Sequence, residues 1–167
     1  ERYVRNGGFI LVDDCNHDID GLFAGSFEAE MAGIFGSDAL RKLPDSHPLY
    51  RSYFRFDGPP ATTFELNGWG DDLVHAYVKA ILIDGRVGVL YSNKDYACEW
   101  DYDLRNKRLL AEDNTKFAVN IERYALTGGS GDDSLQGGTF GDTLNGSDTL
   151  VGNAGDDVLD GQGGKDV

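Results

Sequence analysis

The chain has 167 residues, with 29 acidic and 15 basic side chains and a net charge of −14. No basic stripe is present, which disfavours nucleic acid as a partner, and no apolar run is long enough to span a membrane. Forty per cent hydrophobic residues, many of them aromatic, suffice for one ordinary core plus a tail.

The opening residues ERYVRNGG predict the last turns of a helix, with Tyr3 and Val4 inside and Gly7 and Gly8 closing it. A normal domain would place a strand and more helix before them, so the chain reads as a fragment. Phe9 to Asp13, FILVD, is a continuous apolar run of strand length, as expected of a buried parallel strand. Asp13, Asp14, Cys15, Asn16 and His17 then fall at its carboxyl end, the edge where open α/β sheets bind ligands. Ser26 can cap a helix from Phe27 to Phe35 that Gly36 ends. Leu40 to Leu43 reads as a short strand, and Pro48 can start a short helix with His47 just before it. Residues 57–72 are rich in Gly, Pro, Asn and Asp and read as an ordered loop.

Ala76 to Ile83 and Arg86 to Tyr91 read as two strands joined by Asp84-Gly85, the best short hairpin signal in the chain. SNKDYACEWDYD reads as a polar, aromatic-rich loop after the second of them. Asn114 or Thr115 can cap a last helix, with Phe117, Ile121 and Tyr124 as its buried stripe.

From Gly128 to Val167 a repeat takes over. Aspartates recur at Asp133, Asp142, Asp148, Asp157 and Asp166, and an aliphatic residue follows two places later at Leu135, Leu144, Leu150 and Leu159. Six residues make a turn, in which Gly129, Gly131, Gly138 and Gly155 permit positive φ, and three make a short strand with one inward leucine. Successive repeats then alternate sides of a flattened coil. Facing turns offer carboxylates and backbone carbonyls, an oxygen cage suited to Ca2+. Phe140 replaces an expected glycine, and the third repeat, Gly146 to Val151, is three residues short. A flexible Gly/Asp linker would have no reason to place leucine two residues after aspartate four times. The tail holds eight aspartates and one lysine, a net of −7 and half of the chain's charge. Without a cation those aspartates repel, so binding and folding are expected to be one event.

The tail resembles the repeats-in-toxin (RTX) nonapeptide family, which implies a calcium-bound parallel β-roll over residues 128–167. RYVRNGGFILVDDC, LPDSHPLYRSYF, DGRVGVLYSNKDYACEW and NIERYALT, in that order over residues 1–127, resemble the bacterial family called domain of unknown function 4159. That resemblance implies a class I glutamine-amidotransferase-like superfamily body: α/β, a flavodoxin-like sheet, truncated at its amino end. It implies no activity.

Cys15 follows a strand, as an amidotransferase nucleophile would, with His17, His47 or His75 as a base. Its flanks carry no glycine for a tight elbow, and Asp13 and Asp14 would raise the thiol pKa, so the residues lean against catalysis. Asp13, Asp14, His17 and His47 can instead form a polar ligand or metal site, although Asp-Asp after a strand is also ordinary turn and capping chemistry. Arg51, Arg55 and Arg86 can pair with those aspartates. Trp69 and Trp100 read as loop residues near the same edge. Cys15 and Cys98 each follow a strand, so a disulfide is open to an exported chain. The expectation is an extracellular or cell-surface calcium-binding protein with a body of unknown ligand. A hydrolase displayed on a calcium roll and an adhesion scaffold are the alternatives.

Overall fold

The computed structural model describes residues 1–15, 19–66, 76–100, 112–127, 134–136 and 149–151. A short helix α1 (Arg2–Arg5) leads into strand β1 (Ile10–Asp13), helix α2 (Leu22–Phe35) and strand β2 (Arg41–Lys42). A 3-10 turn (Pro48–Arg51), helix α3 (Thr63–Leu66), strands β3 (Lys79–Ile83) and β4 (Arg86–Ser92), and helices α4 (Tyr96–Trp100) and α5 (Glu112–Leu126) follow. Two short strands, β5 (Ser134–Gln136) and β6 (Thr149–Val151), lie in the tail.

Four strands form one mixed sheet in the order β1-β4-β3-β2. β1 runs parallel to β4, while β3 is antiparallel to both β4 and β2. The hairpin between β3 and β4 turns on Asp84 and Gly85, both at positive φ (51° and 87°), as a type I′ turn requires. At Gly88 a Cβ would meet Val4 Cγ1 at 2.2 Å, so α1 can lie against β4 only over a glycine. Arg86 completes that contact, donating to the carbonyls of Val4 (2.8 Å) and Gly8 (3.2 Å). It serves the end of α1 and not the aspartates after β1.

Both faces of the central strands are covered, which is why β4 is apolar without alternation. On one face Leu49, Tyr50, Val87, Leu90, Tyr96, Phe117, Ile121 and Tyr124 form the larger core. Phe117 is its hub, with ring centroids 5.8 Å from Tyr50, 5.9 Å from Phe56 and 5.2 Å from Tyr96. On the other face Val4, Ile81 and Val89 pack with Phe27, Met31 and Phe35 from α2.

Several expected elements end elsewhere. The run FILVD does form a parallel strand, but at an edge: Ile10 is 36% and Leu11 40% exposed, since β1 pairs only with β4 among the described residues. The second helix begins at Leu22 with Gly21 as its cap, so Ser26 is interior. The last helix starts at Glu112, which leaves Asn114 inside its first turns. The loop expected at SNKDYACEWDYD contains α4, and the loop at 57–72 contains α3. Both short helices are held by partners distant in sequence.

In the tail, β5 pairs with β6 in parallel, with Leu135 opposite Leu150.

Candidate functional site

β1 and β4 stop at the same level, Asp13 being the register partner of Ser92. The Asp14 N–H continues the ladder by donating to the Ser92 carbonyl (2.8 Å). The chain leaves β4 through Asn93, Lys94 and Asp95, the last at φ 58°, and enters α4. This return brings the Ala97 N–H onto Asp13 Oδ2 (2.8 Å). Asn93 donates to the Tyr91 hydroxyl (2.7 Å) and reaches Asp14 Oδ2 at 3.4 Å. Asp13 Oδ1 is buried and has no hydrogen-bond partner among the described residues.

Burial pushes the Asp13 carboxyl up to about 6. The Ala97 N–H and the Ser92 hydroxyl pull the other way, and the charges of Asp95 and Asp14 add to the rise. At neutral pH the edge therefore holds a carboxylate on a poorly solvated oxygen, beside two further carboxylates. Such a place suits a cationic or hydrogen-bond-donating ligand group.

Behind that edge lies a buried polar network. Lys94 and Glu65 form an ion pair (2.6 Å to Oε1, 2.7 Å to Oε2) with both side chains 2% exposed. Glu65 also serves a capping box: it accepts from the Thr62 N–H (2.7 Å), while the Glu65 N–H donates to Thr62 Oγ1 (3.2 Å). Burial lowers the Lys94 pKa, and its bonds and attraction to Glu65 oppose that. Glu99 on α4 accepts from the Thr63 N–H, the Thr63 hydroxyl and Asn114 Nδ2. The Trp100 indole N–H donates to the Asn114 carbonyl (2.9 Å) and stacks on Tyr96. One set of buried polar groups thus ties α3, α4 and α5 to the end of β4. The sequence signal for part of it is present as T-x-x-E at Thr62 to Glu65. Nothing in the sequence marks Lys94 as buried.

Of the four body residues expected to make a site, the structure brings Asp13 and Asp14 together. His17 lies outside the described residues, as do His75 and Trp69. His47 is elsewhere. It caps the 3-10 turn, its Nδ1 accepting from the Leu49 N–H (3.2 Å), and its ring packs 5.4 Å from Tyr124. The Tyr124 hydroxyl accepts from the Val87 N–H (3.1 Å). Val87 precedes Ser92 by five residues on β4, roughly 16 Å along a strand. His47 is thereby given a structural job, so Cys15 has no histidine at the edge among the described residues. Arg51 pairs with Asp57 at 3.6 Å. Cys15 and Cys98 are exposed and neither is in a disulfide. The tail positions Asp133, Asp142, Asp148, Asp157, Asp166, Gly129, Gly131, Gly138 and Gly155 lie outside the described residues. Among the described residues no group of three or more His, Cys, Asp and Glu is placed to hold a metal ion. No helix among them is long and apolar enough to cross a membrane.

The family model for the domain of unknown function DUF4159 matches residues 1–126, three quarters of the chain. The chain belongs to the DUF4159 family. Beyond the DUF4159 domain, the model for the RTX calcium-binding nonapeptide repeat matches residues 127–147 and 142–167. No curated protein matches this DUF4159 chain. The polar edge and its buried network belong to the DUF4159 domain, and the acidic repeats stand apart from it in sequence.

Proposed function

We propose that this is a secreted calcium-binding protein. Its tail, residues 128–167, folds as a calcium roll, and its body, residues 1–127, binds a ligand without catalysis. The observation that carries the reading is the register of β5 and β6: the leucines of the first and third repeats, Leu135 and Leu150, are parallel partners. Alternation of repeats between two faces of a coil demands that pairing, and a random Gly/Asp linker does not. In sequence, Asp133 and Asp148 stand one residue before the paired Ser134 and Thr149. Carboxylates repeated at that spacing, with glycine-rich turns, supply the hard oxygen donors that Ca2+ takes. In this reading Asp133, Asp142, Asp148, Asp157 and Asp166 bind the ion, with carbonyls of Gly129, Gly131, Gly138 and Gly155. Phe140 and the short third repeat make the set uneven.

Repeats of this type are typical of exported bacterial proteins, which supports an extracellular place. Extracellular modules bind calcium at roughly 10⁻⁴ to 10⁻³ M, so the tail would fill only outside the cell. In the body, Asp13 and Asp14 at the β1/β4 edge are the proposed ligand contacts, with His17 next to them in sequence. The edge placement also supports kinship with flavodoxin-like, amidotransferase-like domains, since β1 and its parallel neighbour β4 present polar residues at a shared carboxyl end.

Circular dichroism of the full chain with millimolar calcium, and again with a chelator, tests the tail. A reversible gain of β signal on adding calcium is expected. An unchanged spectrum at saturating calcium would remove the reading.

A further inference from the structure

The chain has two cysteines, and each sits beside a residue that bonds across the β1/β4 edge. Cys15 directly follows Asp14, whose side chain meets Asn93 after β4. Cys98 directly follows Ala97, whose N–H is bonded to Asp13. The two cysteines lie 83 positions apart in sequence, yet each adjoins a residue that already touches the other's segment. Both are solvent-exposed. Cys15 is in a turn and not in a regular element, so its backbone is not fixed by a ladder.

We propose that Cys15 and Cys98 form an intramolecular disulfide in an oxidising environment, stapling the turn after β1 to α4. The oxidant is a small-molecule disulfide. One thiolate attacks it and forms a mixed disulfide, releasing one small thiol. The second thiolate then attacks the protein sulfur of that mixed disulfide and releases the other. Two protein thiols are oxidised, one S–S bond forms and one breaks, and the two electrons and two protons end on the two small thiols. The staple would hold Asp13 against the Ala97 N–H. Only the natural oxidant depends on the extracellular reading. The pairing itself is a property of the body and is independent of calcium.

The test uses the full chain, reduced, then equilibrated with graded ratios of oxidised to reduced glutathione. Intact mass gives the product, and with two cysteines per chain it also assigns the bond. A mass lower by two hydrogens, in a monomer, is expected. Cys15→Ser and Cys98→Ser should each give one glutathione adduct and no such loss. The same titration in denaturant separates proximity from chance: the folded chain should close at an oxidant ratio about tenfold lower or better. Two stable glutathione adducts on the folded chain, disulfide-linked dimers alone, or closure no easier than in denaturant would each overturn the proposal. If the staple fails while the calcium response survives, the tail reading stands. If the response fails while the staple forms, the body inference stands alone.

Discussion

The body and the tail are held by opposite means. In the body, aromatic rings from the 3-10 turn and α4 converge on Phe117 of α5, and buried charged groups have partners inside: Lys94 with Glu65, Glu99 with Thr63 and Asn114. In the tail the sequence offers one aliphatic residue per repeat, and the remaining chemistry is mostly acid and glycine. The net charge splits evenly, −7 in each, but the body spreads it over 127 residues and the tail over 40. On the proposed reading, charge density and not charge itself decides which region needs an ion.

The largest test of that contrast is chelation. Removing calcium from the full chain should abolish the tail's protection from proteolysis and leave body fragments of unchanged resistance. Equal loss in both regions would show that they are one cooperative unit. The converse cut is Phe117→Ala, which should destabilise the body by about 3–5 kcal/mol, read by urea unfolding, without shifting the calcium midpoint of the tail. Lys94→Ala strands the buried Glu65 carboxylate and should cost about 3–5 kcal/mol, whereas the pair Lys94→Met with Glu65→Leu should recover most of it. Thr62→Ala removes one arm of the capping box and should cost about 1 kcal/mol.

The smallest effects are pH slopes, and they run in opposite directions within the body. Burial lowers His47 below its ordinary 6.5. Its contribution is therefore present above 6.5 and is lost as pH falls through the folded value, because protonated Nδ1 cannot accept from Leu49. Asp13 is raised from 3.8 to about 6, so its contribution is present below 3.8 and is lost as pH rises through about 6. His47→Asn should keep a cap and flatten the acid side. Asp13→Asn should flatten the loss between about pH 4 and 6. Urea midpoints across that range read both, and a tail that followed either slope would contradict its independence.

Local chemistry was legible in the sequence where it acts alone. Asp84-Gly85 specifies a positive-φ turn without help, Pro48 starts its 3-10 turn, and Phe117, Ile121 and Tyr124 keep helical spacing on the core side. The repeat spacing in the tail is likewise a one-dimensional signal. What stayed hidden depends on partners far along the chain. α4 has five residues and would not persist by propensity. It is held by Glu99 reaching α3 and α5, and by Trp100 reaching the Asn114 carbonyl. The same dependence moved His47 from the ligand edge to Tyr124, and it buried Lys94. FILVD looked central because apolar runs do not distinguish a covered middle strand from an edge strand with one neighbour.

The pairing of Leu135 with Leu150 spans only fifteen positions of chain. Closing so short a segment is entropically cheap, and the search for it is fast. Assembly of the tail is then expected to wait on ion capture rather than on chain diffusion, so its observed rate should climb with calcium activity and be indifferent to whether the first 127 residues have finished folding.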